Sequence, residues 1–280
     1  MGSDCSTTST VLKYQAPATT RWAVPDESLG EADSERLRAN WNTAPTTDVP
    51  IVLERLTGGN GRDDGELVRE LHVARWGLVP GWAKDPAVGS KMFNARSETV
   101  LEKPSFRKAV RARRCAVPAN GYYEWKKEPG AGKGGRKQPY YVHPADPEET
   151  IWFAGIYEWW RVPEGTELHS AALQPGRDGG GSTWLLSCSI LTTDSPEPSD
   201  EHPVLTELHG LHDRMPIPLA PEHVGDWLRP GEDDAPQLVD LVRAEAHRTA
   251  ARWVLDPVGP AVGNVRNNSP ELVEPQRSLF

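Results

Sequence analysis

Glu124 lies between Tyr123 and Trp125 in the stretch RRCAVPANGYYEWKK (113–127), directly after a doubled arginine. A carboxyl is rarely buried without a partner, so the placement has two readings. It is either a solvated strand residue or a group tuned for proton transfer. Enclosure by Tyr122, Tyr123 and Trp125 would disfavour the charged form and raise the pKa, so that one group could both give and take a proton. Other stretches that hint at chemistry fail on inspection. GAGKGGRK (130–137) lacks the G-x-x-x-x-G-K-[ST] spacing and runs into strand-like PYYVHP, so it reads as a hairpin loop and not a phosphate cradle. There is no G-x-S-x-G nucleophile elbow. His202, His209 and His212 are neighbours in sequence, but without a cysteine pair or an H-E-x-x-H helix they do not read as a metal site. No metal and no cofactor are expected.

Composition narrows the class. With 280 residues, 37% of them hydrophobic, the chain can build one large core. No stretch approaches eighteen consecutive apolar residues, so no membrane span is expected. The start MGSDCSTTST lacks the basic and apolar regions of a secretory signal. Three scattered cysteines, Cys5, Cys115 and Cys188, argue against a disulfide framework and fit a reducing, cytoplasmic setting. A net charge of −9 speaks against indiscriminate attraction to nucleic acid. Yet between Lys84 and Arg114 nine basic residues face three acidic ones. Such a stripe would make one face attractive to a polyanion while the rest repels it; the alternative is a solvated helix face.

The elements that must position these residues are mostly strands. Runs at 49–56, 67–78, 121–127, 139–144, 150–160 and 183–193 are rich in β-branched and aromatic residues and are bounded by Gly, Pro and Asp clusters. Helical spacing is found at 103–113, 221–228 and 236–253. Segments 57–66, 128–138 and 161–182 read as surface loops. With no βαβ alternation, the pattern predicts an α+β fold: a mostly antiparallel, barrel-like sheet with a few flanking helices, in one domain over 1–280. Residues 41–275 carry the motifs, and 1–40 form a divergent N-terminal segment. Nothing suggests an obligate interface, so a monomer is expected.

Four strings in fixed order carry a resemblance: WNTAPT (41–46), the segment from RWGLVPGWAKDP to KMFNARSETVLEKPSFR (75–107), RRCAVPANGYYEWKK (113–127) and LHDRMPIPL (211–219). The tail AVGNVRNNSPELVEP (261–275) fits as well. The chain resembles the SRAP (SOS response-associated peptidase) family over roughly residues 40–275. That resemblance implies a barrel-like α+β domain with a positively charged groove, acting on abasic sites in single-stranded DNA and associated with the nucleoid when bound. It also implies a chemistry. An N-terminal cysteine captures the ring-opened sugar aldehyde, its α-amine forming a Schiff base and its thiol closing a thiazolidine, which leaves a DNA–protein crosslink. An α-amine titrates near pH 8, so a useful fraction is nucleophilic at neutral pH.

Residue by residue, the resemblance implies Cys5 as the covalent residue, Glu124 as the acid/base, His212 as the histidine that assists Schiff-base chemistry, and Asn94 as the asparagine that holds the sugar or the N-terminus. The structural alternatives are a turn histidine for His212 and a cap for Asn94. For DNA, Arg96 would grip phosphate, and Asn42 and Thr46 would bond sugar or phosphate. Trp82 would stack on a base, or else pack in the core. Arg107, Arg113 and Arg114 would extend the groove. The chain departs from the family pattern at its start, where Met-Gly-Ser-Asp-Cys stands in place of Met-Cys-Gly-Arg. An internal Cys5 has no free α-amine. The reading adopted is that residues 1–4 are removed and Cys5 becomes terminal. The alternatives are a degenerate member that binds single-stranded DNA without lasting attachment, one acting as a lyase through another amine, and a cysteine peptidase acting on its own N-terminus.

Overall fold

The computed structural model describes residues 11–14, 39–57, 66–127, 137–176, 181–198, 201–231 and 234–276. In chain order the elements are β1 (Val11–Tyr14), β2 (Asn40–Thr43), β3 (Asp48–Thr57), β4 (Glu66–Trp76), β5 (Asn94–Arg96), α1 (Arg107–Ala112), β6 (Arg114–Ala119), β7 (Gly121–Lys127), β8 (Lys137–Pro144), β9 (Ile151–Arg161), β10 (Leu173–Pro175), β11 (Thr183–Asp194), α2 (Pro203–Leu211), β12 (Arg214–Pro216), α3 (Val224–Leu228), α4 (Ala235–Ala250) and β13 (Trp253–Pro257).

Every strand-like run of the sequence is a strand. Expected loop 161–182 is not wholly irregular: Leu173–Pro175 pairs with Leu185–Thr183 as β10. The expected loop cores 58–65 and 128–136 lie outside the described residues. Helix α2 escaped the periodicity reading because its segment is short, polar and ends in Gly-Leu-His. It forms because Pro203 suits a first turn and because Leu205, Leu208 and Leu211, three apart, bury one stripe.

Strands β11, β4, β3, β6 and β9 pair in that order, and β9 returns to β11, closing a ring. Most ladders are antiparallel. The exceptions decide the closure: β11 runs parallel to β4 through Ser187–Arg75 and Cys188–Trp76 and, further along, parallel to β5 through Ile190–Asn94. Residues 77–93 loop out between β4 and β5, so that β5 takes up the pairing with β11 two residues beyond where β4 leaves it. Gly77 makes that path possible. Its φ of +139° favours glycine, and a Cβ there would come within 2.6 Å of the Gly89 carbonyl oxygen. The second sheet, in the order β13-β8-β7-β1-β2, is antiparallel throughout.

Strand alternation divides the packing. One face of the ring contributes Ile51, Trp76, Tyr157, Leu186, Cys188 and Ile190 to a cluster that the second sheet covers with Tyr122 and Val142, and α2 with its three leucines. The opposite face contributes Val52, Ala116, Ala154 and Leu191, covered by α1, α3 and α4 through Val110, Trp227, Leu238 and Val242. At about 25 cal/mol per Å² of apolar surface removed from water, such two-sided burial holds the ring rigid. No helix among the described residues is long and apolar enough to cross a membrane.

Candidate functional site

The sequence-predicted residues separate into three groups. Asn94, Glu124 and His212 each adjoin a residue of the first cluster: Asn94 follows Phe93 and pairs with Ile190, Glu124 follows Tyr122 by two, and His212 follows Leu211. Glu124 follows Tyr122 by two on β7, so both side chains share a face, and Glu124 is only 4% exposed. Its neighbour across the ladder is Tyr140. Alternation corrects one expectation: Tyr123 and Trp125 point the other way, into a separate cluster with Trp41, Tyr141 and Val258, where the Tyr123 hydroxyl donates to the Trp41 carbonyl at 2.8 Å. The aromatic wall beside Glu124 is therefore Tyr122 and Tyr140. Burial, and secondarily the Glu124 charge, push the Tyr122 hydroxyl well above its ordinary pKa, so it remains a neutral phenol beside the carboxyl.

His212 caps the C-terminus of α2, and α2 leans on β7: a Cβ built at Gly210 would lie 4.0 Å from Lys126 Nζ. The His212 ring is oriented locally. Its Nδ1 lies 2.9 Å from the Arg214 backbone nitrogen, 2.9 Å from the Asp213 carboxylate and 3.2 Å from the Arg214 carbonyl oxygen, contacts that hold the ring in place. His209 serves differently, with its Nδ1 donating to the Pro196 carbonyl at 3.0 Å. Asn94, half-buried, opens β5 beside Ile190.

Sequence reasoning missed the piece that ties these strings together. Arg214 donates from Nη2 to Glu98 at 2.9 Å and to the Thr192 carbonyl at 2.8 Å, and from Nη1 to Asp194 at 2.6 Å. Arg214 comes from the H-D-R string and Glu98 from the N-A-R-S-E-T string. Their pairing holds the histidine turn against the strand that carries Asn94. Desolvation would raise the Glu98 carboxyl, but the Arg214 hydrogen bond prevails and its pKa lies below the ordinary carboxylate value. The fixed spacing of both strings was the available signal, but no sequence feature shows that they meet.

The second group is exposed and basic. Arg96 and Arg107 are exposed, as are Lys84, Lys91, Lys103 and Lys108. None of the six has an ion-pair partner among the described residues. Trp82 is 62% exposed, which excludes the core reading. Thr46 is exposed at φ +74°, a strained conformation for a β-branched residue. Its N–H donates to the Trp76 carbonyl at 2.7 Å, pinning the turn.

The third group corrects the sequence reading. Arg114 is buried, with a side chain 1% exposed. It donates to five main-chain carbonyls: Trp227 at 2.8 Å, Arg111 at 2.8 Å, Val110 at 3.1 Å, Gly231 at 3.0 Å and Arg229 at 2.6 Å. It docks the α3 end onto the ring and presents nothing to a phosphate. Asn42 is likewise buried, its amide nitrogen donating to the carbonyls of Val262, Asn264 and Asn267 at 3.0–3.1 Å. Arg113 is half-buried and bonded to Glu158 at 2.7 Å. Cys5 lies outside the described residues. What the structure fixes is the entry of β1 between β2 and β7, with Val11 opposite Tyr123.

A closed ring capped by a second sheet and flanked by helices, with a buried carboxyl on β7 and basic side chains that lack ion-pair partners among the described residues, defines an α+β barrel protein. The chain belongs to the SOS response associated peptidase (SRAP) family, whose model matches residues 6–265. It is 34% identical over 236 residues to the abasic site processing protein YoqW of Bacillus subtilis, covering 84% of this chain and 85% of that one. It is 29% identical to the abasic site processing protein HMCES of Rattus norvegicus, covering 87% and 67%. In architecture it is similar to a crystal structure of a protein from Bacteroides thetaiotaomicron, at TM-score 0.60 and 24% identity over 89% of this chain and 90% of that one.

Proposed function

We propose that the protein recognises abasic sites in single-stranded DNA and joins them covalently through Cys5, with Glu124, His212 and Asn94 as the site. The observation that carries this reading is the burial of the Glu124 carboxyl on the same strand face as Tyr122. The family membership and the names of its relatives support the substrate.

The step begins with Cys5 as the terminal residue. Its amine attacks the C1′ aldehyde of the opened sugar, giving a carbinolamine. The carbinolamine hydroxyl leaves as water after taking a proton, for which Glu124 is the donor. The Cys5 thiolate then adds to the imine carbon, its proton passing to the carboxylate and on to the nitrogen, and the thiazolidine closes. A single acid/base suffices because each transfer reverses the previous one. His212, held in place by Asp213 and the Arg214 main chain, is a second group that can pass a proton to the departing oxygen. Five residues lie between Cys5 and Val11, so Cys5 is tethered within at most about 20 Å of the start of β1, the strand paired with β7. Exposed Arg96, Arg107 and Trp82 hold the strand by phosphate pairing and stacking.

The experiment compares the chain as written with one beginning at Cys5. Each is incubated with single-stranded DNA bearing one abasic site, and heat-stable adducts and intact mass are measured. The expected outcome is an adduct from the Cys5-started form that Glu124→Gln abolishes while DNA affinity is retained. If both forms bind DNA and neither forms an adduct, the covalent reading is overturned.

A further inference from the structure

The ring holds a pocket of about 440 Å³ that none of Asn94, Glu124 and His212 lines and that the reaction does not use. Along β11, Trp184 at its rim and Ile190 beside Asn94 are six residues apart, about 20 Å at about 3.4 Å per residue. The floor is a closed charge network. Arg55 forks onto Glu70 through Nε at 2.8 and 2.9 Å and Nη2 at 2.6 Å. His72 Nε2 lies 3.0 Å from the same carboxylate, and its Nδ1 lies 3.5 Å from the Gln174 amide nitrogen. The arrangement fixes the tautomer: Nε2 donates to Glu70, and Nδ1 faces the amide donor. One cation balances one anion, so the floor attracts neither sign. Desolvation alone would raise the Glu70 carboxyl, but bonds from Arg55 and His72 bring it below its ordinary value.

The walls are aromatic. Trp159 stands edge-on to His72 at 6.5 Å, and Tyr157 and Trp184 close the sides. Among the described residues, the Tyr157 hydroxyl and the Trp159 indole N–H have no hydrogen-bond partner. Burial pushes the Tyr157 hydroxyl up to about 12, so it stays a donor at neutral pH. A purely aliphatic occupant would desolvate these groups without replacing their hydrogen bonds, which costs free energy. A charged occupant would give up hydration and find no net counter-charge in the floor, whose Arg55 and Glu70 already neutralise each other. A flat, uncharged ring with donors and acceptors on its edge satisfies both walls and polar groups, and the volume falls within the range of small-molecule sites.

We propose that this pocket is a second binding site, separate from the Glu124 site, that takes an uncharged planar heterocycle of the nucleobase type. The ring can come from a free nucleoside or from a base of a bound strand. The test titrates the protein, through tryptophan fluorescence, with adenosine, guanosine, cytidine and thymidine. A lesion-free single-stranded oligonucleotide and one of equal length built of baseless sugar units follow. Saturable quenching by at least one nucleoside is expected, weakened at least tenfold by Gln174→Leu and by Trp184→Leu, with circular dichroism confirming that both variants are folded. If nucleosides fail but the variants weaken the base-bearing oligonucleotide tenfold and leave the baseless one unchanged, the occupant is a base of the strand. Absence of saturable binding in both arms, or affinities that neither variant changes, overturns the proposal. Adduct formation on abasic DNA is scored separately and stays unchanged in both variants, so failure here is distinct from failure of the covalent reading.

Discussion

Arg114 and Arg96 both read from sequence as DNA contacts, and replacing each by methionine separates a structural arginine from a binding one. Methionine keeps the length and apolar stem of the side chain, so the change is confined to the guanidinium. In Arg114→Met, five main-chain carbonyls lose their donor, and the cation leaves its place 5.9 Å from the Trp227 ring centre. At about 1 kcal/mol net per hydrogen bond the sum is about 5. Relief from burying a cation offsets part of this. A loss of about 3–5 kcal/mol is expected, or about 10 °C in Tm for a domain of this size. Urea denaturation measures it. Binding to a single-stranded oligonucleotide at several salt concentrations, below the unfolding range, measures the other half. The salt slope should be unchanged in Arg114→Met. Arg96→Met should leave stability within about 0.5 kcal/mol and lower the slope by about 0.7, the loss of one phosphate contact on a single strand. A loss of less than about 1 kcal/mol in Arg114→Met, together with a slope shallower by about 0.7, would refute the reasoning.

Asn42→Ala should destabilise by about 2–3 kcal/mol, because three carbonyls of the 262–267 segment lose their shared donor; thermal denaturation checks this, and salt-dependent DNA binding should not change. Trp82→Ala should weaken single-strand binding by about 1–3 kcal/mol with Tm unchanged, as for an exposed stacking platform; equal affinity for the variant would remove the residue from the interface. Glu70 has a folded pKa below its unfolded one. Its pairing therefore contributes stability above the unfolded value of about 4.3, and the contribution is lost as pH falls through the lower folded value. Stability measured from pH 6 to 3 should fall less steeply in Glu70→Gln than in the unmodified protein. Parallel curves would show that the Arg55 pair is not maintained in solution.

The sequence by itself determined the elements and the family strings. Runs such as TWLLSCSILTT and GYYEWKK mark strands because β-branched and aromatic content between turn-forming clusters is a local property of the chain. Glu124 stood out for the same local reason, a carboxyl among aromatics. What the composition of the run could not reveal was which aromatics stay with it. Tyr123 and Trp125, adjacent in sequence, face the opposite cluster, while Tyr140, sixteen residues on, joins Glu124 through the ladder. The basic stripe was legible as composition, but only burial divides it into Arg96 and Arg107 on the surface and Arg114 inside. A guanidinium is equally suited to phosphate and to a set of helix-end carbonyls, so residue type cannot decide between them. Tertiary structure alone set Arg214 against Glu98 and closed β11 onto both β4 and β9. These contacts join residues more than 100 positions apart in most cases, where local propensity has no say.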